Sequence, residues 1–303
     1  MFLIYFTFKI TRHDNLILLN KYRIHGRTLT RINRYLWNWS PANFKNSRIG
    51  LRWGRLILKL VRLSGDGQLT TTYFFRNRSE LKLMEKIVSK YNSADSLKLT
   101  VVGCSEGAEV FTILYTCHKA LPGVELKVSA FDIDEPALNV AKKARFKADS
   151  RVLSTLTQEE SKSLFDQDGG FLQVKDQFRN VDWYLQDPTE ASFTSTYPKQ
   201  DFVVANRLLF HMDRKEQYRA LKAIASMVRP GGYLFVSGVD LEVRLRIVNE
   251  FNLQPVPELL EEIHAGDETM TLDWPFQRWG LEPLNKKERN WMTRYCAVFQ
   301  MPI

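Results

Sequence analysis

Acidic side chains are nearly missing from the first 68 residues of this chain. That stretch holds 13 Lys/Arg but only Asp14 and Asp66 as acids, whereas the remaining 235 residues carry 30 basic and 32 acidic groups. The overall charge of +9 over 303 residues is therefore concentrated in a basic segment ahead of a near-neutral body. A surface of one sign raises encounter rates with partners of the opposite sign, so residues 1–68 are expected to meet an acidic partner, anionic lipid or nucleic acid, an ordinary solvated surface being the alternative. Cysteine is also scarce. Cys104, Cys117 and Cys296 stand far apart, in no paired spacing for zinc and in odd number for disulfides. No metal is expected, and a reducing, cytoplasmic setting is. Long apolar runs are missing too: stretches such as Met1–Phe6 and Tyr233–Val236 fall far short of the roughly 20 residues of a spanning helix. Met1–Phe8 lacks the basic start and small-residue cleavage site of a secretory signal. With 44% hydrophobic and 25% charged residues, collagenous and disordered classes are excluded.

What is present falls into two parts. From Tyr22 to Leu63 the spacing is helical: Leu29, Ile32, Tyr35 and Leu36 lie about a turn apart, and Leu51, Arg55, Leu58 and Arg62 continue the pattern. Trp37, Trp39 and Trp53 stand among the arginines and read as the core of a small helical module. Ser64-Gly65-Asp66-Gly67 is the clearest linker, giving a basic helical domain over 1–68 and a second domain over 69–303. Beyond the linker, strands and helices alternate. Strands are expected at Leu97–Val102, Val124–Phe131, Val181–Leu185, Asp201–Ala205 and Tyr233–Ser237. Helices are expected after Asn77-x-x-Glu80, over Gly107–Leu121, from Asp134 to about Phe146, after Thr157-x-x-Glu160 and after Asp213-x-x-Glu216. Apolar strands alternating with amphipathic helices imply an α/β fold with a doubly wound, mostly parallel sheet. Trp291–Phe299 is the candidate closing strand. No internal repeat is visible.

The first strand runs into Val102-Gly103-Cys104-Ser105-Glu106-Gly107, with a helix directly behind it. In such sheets ligands sit at the carboxyl ends of the strands, where glycine lets the backbone approach them. Asp132 closes the second strand and can accept both hydroxyls of a ribose. The spacing is G-x-x-x-G rather than the dinucleotide G-x-G-x-x-G, and no G-K-[ST] serves a polyphosphate. A nucleoside without polyphosphate fits better, which points to S-adenosyl-L-methionine. Asp187 after the third strand and Arg229-Pro230-Gly231-Gly232 before the fifth complete the pattern.

Four stretches resemble one known family, the CheR-type chemotaxis methyltransferases, over roughly residues 69–240. Thr72-Tyr73-Phe74-Phe75-Arg76 is similar to the family's T-x-F-F-R. Gly103–Glu109 is similar to its G-C-S-T-G-E-E loop, and Phe131-Asp132-Ile133-Asp134 to its T-D-I-D. Asp201–Asp213 is similar to its D-x-I-x-C-R-N-V-L-I-Y-F-D. The resemblance implies a Rossmann-like class I methyltransferase that esterifies protein glutamates, as on chemoreceptors. It places Thr70, Thr72 and Arg76 at the cofactor and transfer site, Gly103, Gly107 and Glu109 in the cofactor loop, and Asp132 on the ribose. Asp187 and Pro188 fall near the adenine, Arg207 and Leu208 where the family has its Asn-Val pair, and His211 at the family tyrosine. Arg76 and His211 are thus the implied catalytic pair. Three departures cluster there: Ala108-Glu109 replaces a double glutamate, Asn206-Arg207 replaces Arg-Asn, and His211 replaces tyrosine.

A carboxylate acceptor, with a pKa of about 4.3, is already ionised at neutral pH and needs no general base. Catalysis then lies in holding an oxygen in line with the methyl group, a task suited to the planar fork of Arg76; the same arginine can instead pair with Glu80. Ala205-Asn206-Arg207-Leu208 stands where base and amide methyltransferases carry [DN]-P-P-Y, so nucleic acid is not an expected partner. The run Trp274-Pro275-Phe276-Gln277-Arg278-Trp279 is core, or a pocket for an apolar acceptor. Three functions stay open: methylation of an acidic, receptor-like protein segment, methylation of a small apolar acid such as a fatty acid, and non-enzymatic regulation by bound S-adenosylmethionine.

Overall fold

A computed structural model describes residues 72–91, 96–190, 193, 197–266, 284 and 286–303, with most of 32–56. Leu29, Leu51, Arg55, Leu58, Arg62, the Ser64–Gly67 linker, Thr70 and the Trp274–Trp279 run lie outside the described residues. The chain divides into two compact units, Met1–Leu69 with Leu272–Phe276, and Thr70–Thr271 with Gln277–Ile303. Among the described residues no helix is long and apolar enough to cross a membrane.

The larger unit is built on a seven-stranded sheet. Its strands are β1 (Ser96–Val102), β2 (Glu125–Asp132), β6 (Val181–Leu185), β7 (Gln200–Asn206), β8 (Val228–Ser237), β9 (Gln254–Pro255) and β10 (Val298–Gln300), in the order β6-β2-β1-β7-β8-β10-β9. The first five run parallel, and only β10 and β9 pair antiparallel. β1 and β7 are buried along almost their whole length, as befits strands covered on both faces. Alternation divides their side chains between two cores. Val101, Val204 and Phe235 pack with Phe74, Leu83 and Phe111, while Val102, Val203 and Val236 pack with Phe131 and Leu221. Each such side chain contributes about 1.5–3 kcal/mol by leaving water.

The order of strand addition reverses between β1 and β7, so the loops following them diverge and leave a crevice at the carboxyl edge. Local chemistry fixes the helices around it. Asn77 caps Arg78–Val88, Asp134 caps Glu135–Lys143 with a proline in its first turn, and Asp213 with Glu216 closes a full capping box on Arg214–Ser226.

Two elements differ from expectation. The helix expected to reach about Phe146 ends at Lys143, because Ala144 takes the left-handed conformation (φ 50°). β3 (Arg145–Lys147) follows and joins β4 (Phe165–Asp168) and β5 (Phe171–Val174) in a separate antiparallel sheet, order β3-β5-β4. The Gly169-Gly170 pair between β4 and β5 is the sequence signal for that hairpin. The expected closing strand over Trp291–Phe299 begins as a helix, Trp291–Tyr295, and only Val298–Gln300 is extended. Its anchor is distant in sequence: Arg244, fully buried, donates to the carbonyl oxygens of Arg294 (3.3 Å) and Cys296 (2.8 Å).

In the smaller unit, Trp37 and Trp53 pack with ring centroids 5.4 Å apart, and Trp53 Nε1 donates to Asn33 Oδ1 at 3.0 Å. Trp39, expected in this core, is 76% exposed, and Ile32, Tyr35 and Leu36 also face outward. The apolar spacing was helical, but the inner face belongs to Asn33 and Trp37.

Candidate active site

The loop after β1 is shaped by three left-handed residues, Gly103 (φ 80°), Ser105 (φ 49°) and Gly107 (φ 86°). Gly103 and Cys104 donate their backbone N–H to Phe131 O at 2.8 and 3.0 Å, which pins the loop to the end of β2. A Cβ on Gly103 would lie 2.9 Å from Leu208 Cβ. Leu208 therefore closes directly over this turn. A Cβ on Gly107 would lie 3.0 Å from both Phe111 and Trp183 ring atoms, so that glycine lets the helix Ala108–Ala120 pack onto the sheet.

Asp132 ends β2 with both carboxylate oxygens directed by backbone amides: Oδ2 accepts from Ser105 N at 2.6 Å and Oδ1 from Asp134 N at 2.9 Å. Its neighbours Ile133 and Leu185 are 60% and 56% exposed, although Leu185 stands directly across from Asp132 in the register of β2 and β6. Two aliphatic side chains are thus left in water beside an oriented carboxylate. Farther along, Asp187 Oδ1 accepts from Thr189 N at 2.7 Å, and Pro188 is buried behind it.

A polar cluster lies on the other side of the loop. Asn206, the last residue of β7, donates from Nδ2 to Glu80 Oε1 at 2.6 Å and to Glu109 Oε1 at 2.9 Å, and its Oδ1 accepts from Ser237 Oγ at 2.8 Å. Arg207 follows in the left-handed region (φ 56°), its N–H held by Ser237 O at 3.0 Å. Gly238 is required there, since a Cβ on it would sit 2.9 Å from Arg207 Cα. Arg76 lies over the Tyr73 ring, 5.2 Å from its centroid.

Electrostatics couple these groups. Burial pushes the Glu80 carboxyl up to about 7, with the Glu109 charge adding to the effect. Burial also raises Glu109, against the Asn206 hydrogen bond and the charges of Arg76 and Arg207. Arg76 is lowered by burial and held up by Glu109. Arg207 falls to about 9 through burial and the nearby Arg76 charge. The carboxylate that faces Arg76 is thus Glu109, and Glu80 turns to Asn206 instead.

Arg76, Glu109, Arg207 and Leu208 are brought together around the Gly103–Gly107 loop. Asp132 stands on its far side. Thr72 is buried at the entry segment. His211 ends the short 3-10 turn Leu209–His211, and its side chain lies outside the described ones. Glu80 and Asn206 were not foreseen as members of the site. Glu80 was read as a helix-cap partner of Asn77 and as an alternative partner for Arg76; Asn77 Oδ1 does accept from Glu80 N at 3.2 Å, and the Glu80 carboxyl bonds to Asn206. The change of Arg-Asn to Asn206-Arg207 was the available signal that the cluster is wired differently here.

The cradle suits S-adenosylmethionine. The glycine turn admits a close backbone approach, Asp132 suits a ribose diol, Glu109 suits an ammonium group, and the guanidinium groups suit a carboxylate. The parallel sheet, its switch point and this loop define a Rossmann-like methyltransferase. A family model described as CheR methyltransferase, SAM binding domain, matches residues 70–251, and the chain belongs to that family, with S-adenosylmethionine as its cofactor. Chemotaxis protein methyltransferases of Listeria innocua serovar 6a and Listeria monocytogenes serovar 1/2a are each 24% identical over 176 residues, covering 57% of this chain and 65% of theirs. The match thus spans less than two thirds of those relatives. Among solved structures, the N-methyltransferase NodS of Bradyrhizobium japonicum, in complex with S-adenosyl-L-homocysteine, is 17% identical with a TM-score of 0.36, over 66% of this chain and 85% of that one. An O-methyltransferase family protein of Burkholderia thailandensis is 15% identical with a TM-score of 0.34, over 76% and 57%.

Proposed function

We propose that this methyltransferase esterifies a carboxylate, and that the acceptor is a glutamate side chain of a protein. The observation that carries the reading is the pair of buried guanidinium groups, Arg76 and Arg207, gathered with Glu109 beside the cofactor loop and close enough that the Arg76 charge lowers Arg207. Two crowded cations favour anions between them, and the reaction brings two: the cofactor's carboxylate and the acceptor's. We assign Arg207, next to Leu208 and the glycine turn, to the first, and Arg76, on the entry segment, to the second. Thr70 and Thr72 precede Arg76 in the sequence and are assigned to the cofactor, Glu109 receives the cofactor's ammonium group, Asp132 holds the ribose, and Asp187 with Pro188 borders the base. His211, which stands at the family tyrosine, is assigned to the acceptor by that resemblance alone.

S-adenosylmethionine, when bound, supplies an electrophilic methyl group. The chain's own residues then need to strip water from an acceptor that is already ionised and hold its oxygen in line, which is catalysis by position. No proton has to move, so the buried Glu80 keeps a structural part, fixing Asn206. A protein acceptor is supported by the names of the Listeria relatives, with chemotaxis as the setting and the cytoplasm as the compartment. In the same reading, residues 69–303 are the catalytic domain and residues 1–68 a docking module.

The test is transfer of labelled methyl groups into fractionated cell extract. Label in protein supports the reading. Label in the lipid extract would assign a small apolar acid such as a fatty acid, and cofactor binding without transfer into any fraction would assign a regulator.

A further inference from the structure

The smaller unit presents an apolar stripe where a basic module would be expected to be polar. Ile32, Tyr35, Leu36 and Trp39 follow the i, i+3, i+4, i+7 spacing of one helical face and are 51%, 61%, 50% and 76% exposed. Among the described residues it is the other face, Asn33 and Trp37, that packs against Trp53. Ile49 is 69% exposed, between the exposed Arg48 and Arg52. The sequence around them contains no acid from Asn15 to Gly65, and eleven Lys/Arg from Lys21 to Arg62.

We propose that this face docks the protein on an anionic lipid surface. Tyr35 and Trp39 have the amphipathic rings that settle at the headgroup level, Ile32 and Leu36 supply aliphatic area for the acyl boundary, and the arginines meet the lipid phosphates. The charge is complementary over the whole segment. The aliphatic members decide between partners: an unpaired nucleic acid offers bases to stack on Trp39 and Tyr35 but nothing to cover Ile32, Leu36 and Ile49. The inference is independent of which acceptor is methylated.

The experiment is co-sedimentation of the full chain with phosphatidylcholine vesicles, with and without about 30% phosphatidylglycerol, at low and physiological salt. Binding is expected with the anionic vesicles only, weaker at the higher salt. The double variant Tyr35→Ser/Trp39→Ser, which leaves charge and the Trp37–Trp53 contact untouched, should weaken binding at least tenfold. In the unmodified protein, brominated acyl chains in the anionic vesicles should quench tryptophan emission, a readout that needs no variant. Absence of binding, absence of quenching, or a double variant that binds like wild type would each overturn the proposal. So would tighter, Trp39-dependent binding to polyglutamate or to a single-stranded oligonucleotide under the same conditions.

Discussion

Glu80 and Glu109, on two different helices, meet on one side-chain amide, that of Asn206, at 2.6 and 2.9 Å. Two buried carboxyl groups sharing a neutral donor resist ionising together, and Glu80 is the one pushed to about 7 from its ordinary 4.5. The sign follows from proton counting. Below about pH 4.5 the folded and unfolded chains both hold this proton. Between about 4.5 and 7 only the folded chain holds it, so stability falls as pH rises, and above 7 the loss is complete. Glu80→Gln keeps the acceptor for Asn206 and removes the titration. Relative to wild type it should gain about 3 kcal/mol between pH 5 and pH 8, read by urea denaturation at the two pH values. A difference that stays flat with pH would refute the assignment.

Asn206→Ala removes both donors at once and leaves Ser237 Oγ without its acceptor. The expected loss is about 1–3 kcal/mol at neutral pH, and smaller at pH 5, where the carboxyls are more nearly neutral. Equal losses at both pH values would show that Asn206 acts by packing alone.

Gly107 and Gly123 provide a matched pair. Both are left-handed, at φ 86° and 85°, but a Cβ on Gly107 meets Phe111 and Trp183 at 3.0 Å, whereas one on Gly123 meets nothing within 4 Å. Gly123→Ala should carry only the backbone penalty, about 1–2 kcal/mol. Gly107→Ala should add about 1–3 kcal/mol of overpacking and weaken cofactor binding. Thermal denaturation of the two variants decides it: equal shifts would mean that the close approach is not required.

Asp132→Ala should weaken S-adenosylmethionine binding by about 2–3 kcal/mol, the scale of hydrogen bonds to a charged group. Ser105 N and Asp134 N lose their common acceptor in the same change, so the turn loosens as well. Calorimetry showing wild-type affinity would exclude Asp132 from the ribose.

The parallel sheet was legible because β1 and β7 are short, mostly buried strands with apolar centres, followed by helix caps at the spacing that local chemistry demands. Asp132 and the Gly103–Gly107 turn were legible because each stands directly at the end of a strand, although the bonds that join them cross from one strand end to the other. What escaped depends on contacts over long separations. Arg244 ends the Trp291–Tyr295 helix from 50 residues away. The cluster of Glu80, Glu109 and Asn206 draws on three elements, and near Glu80 in the chain only Asn77 and Arg76 offered it a partner, not Asn206 from 126 residues away. In the smaller unit, of the three tryptophans read as core, Trp37 and Trp53 do pack together while Trp39 faces outward, because Asn33 and Trp37 are the residues that face Trp53.

The most direct measurement is the alkali lability of the transferred methyl group. After incubation with methyl-labelled S-adenosylmethionine and a receptor-containing protein fraction, the label should enter protein and be released as volatile methanol by mild base, as a carboxyl ester requires. Arg76→Ala should abolish that incorporation while leaving cofactor binding measurable. Label that survives alkali, as an N- or C-methyl group would, contradicts esterification of a carboxylate.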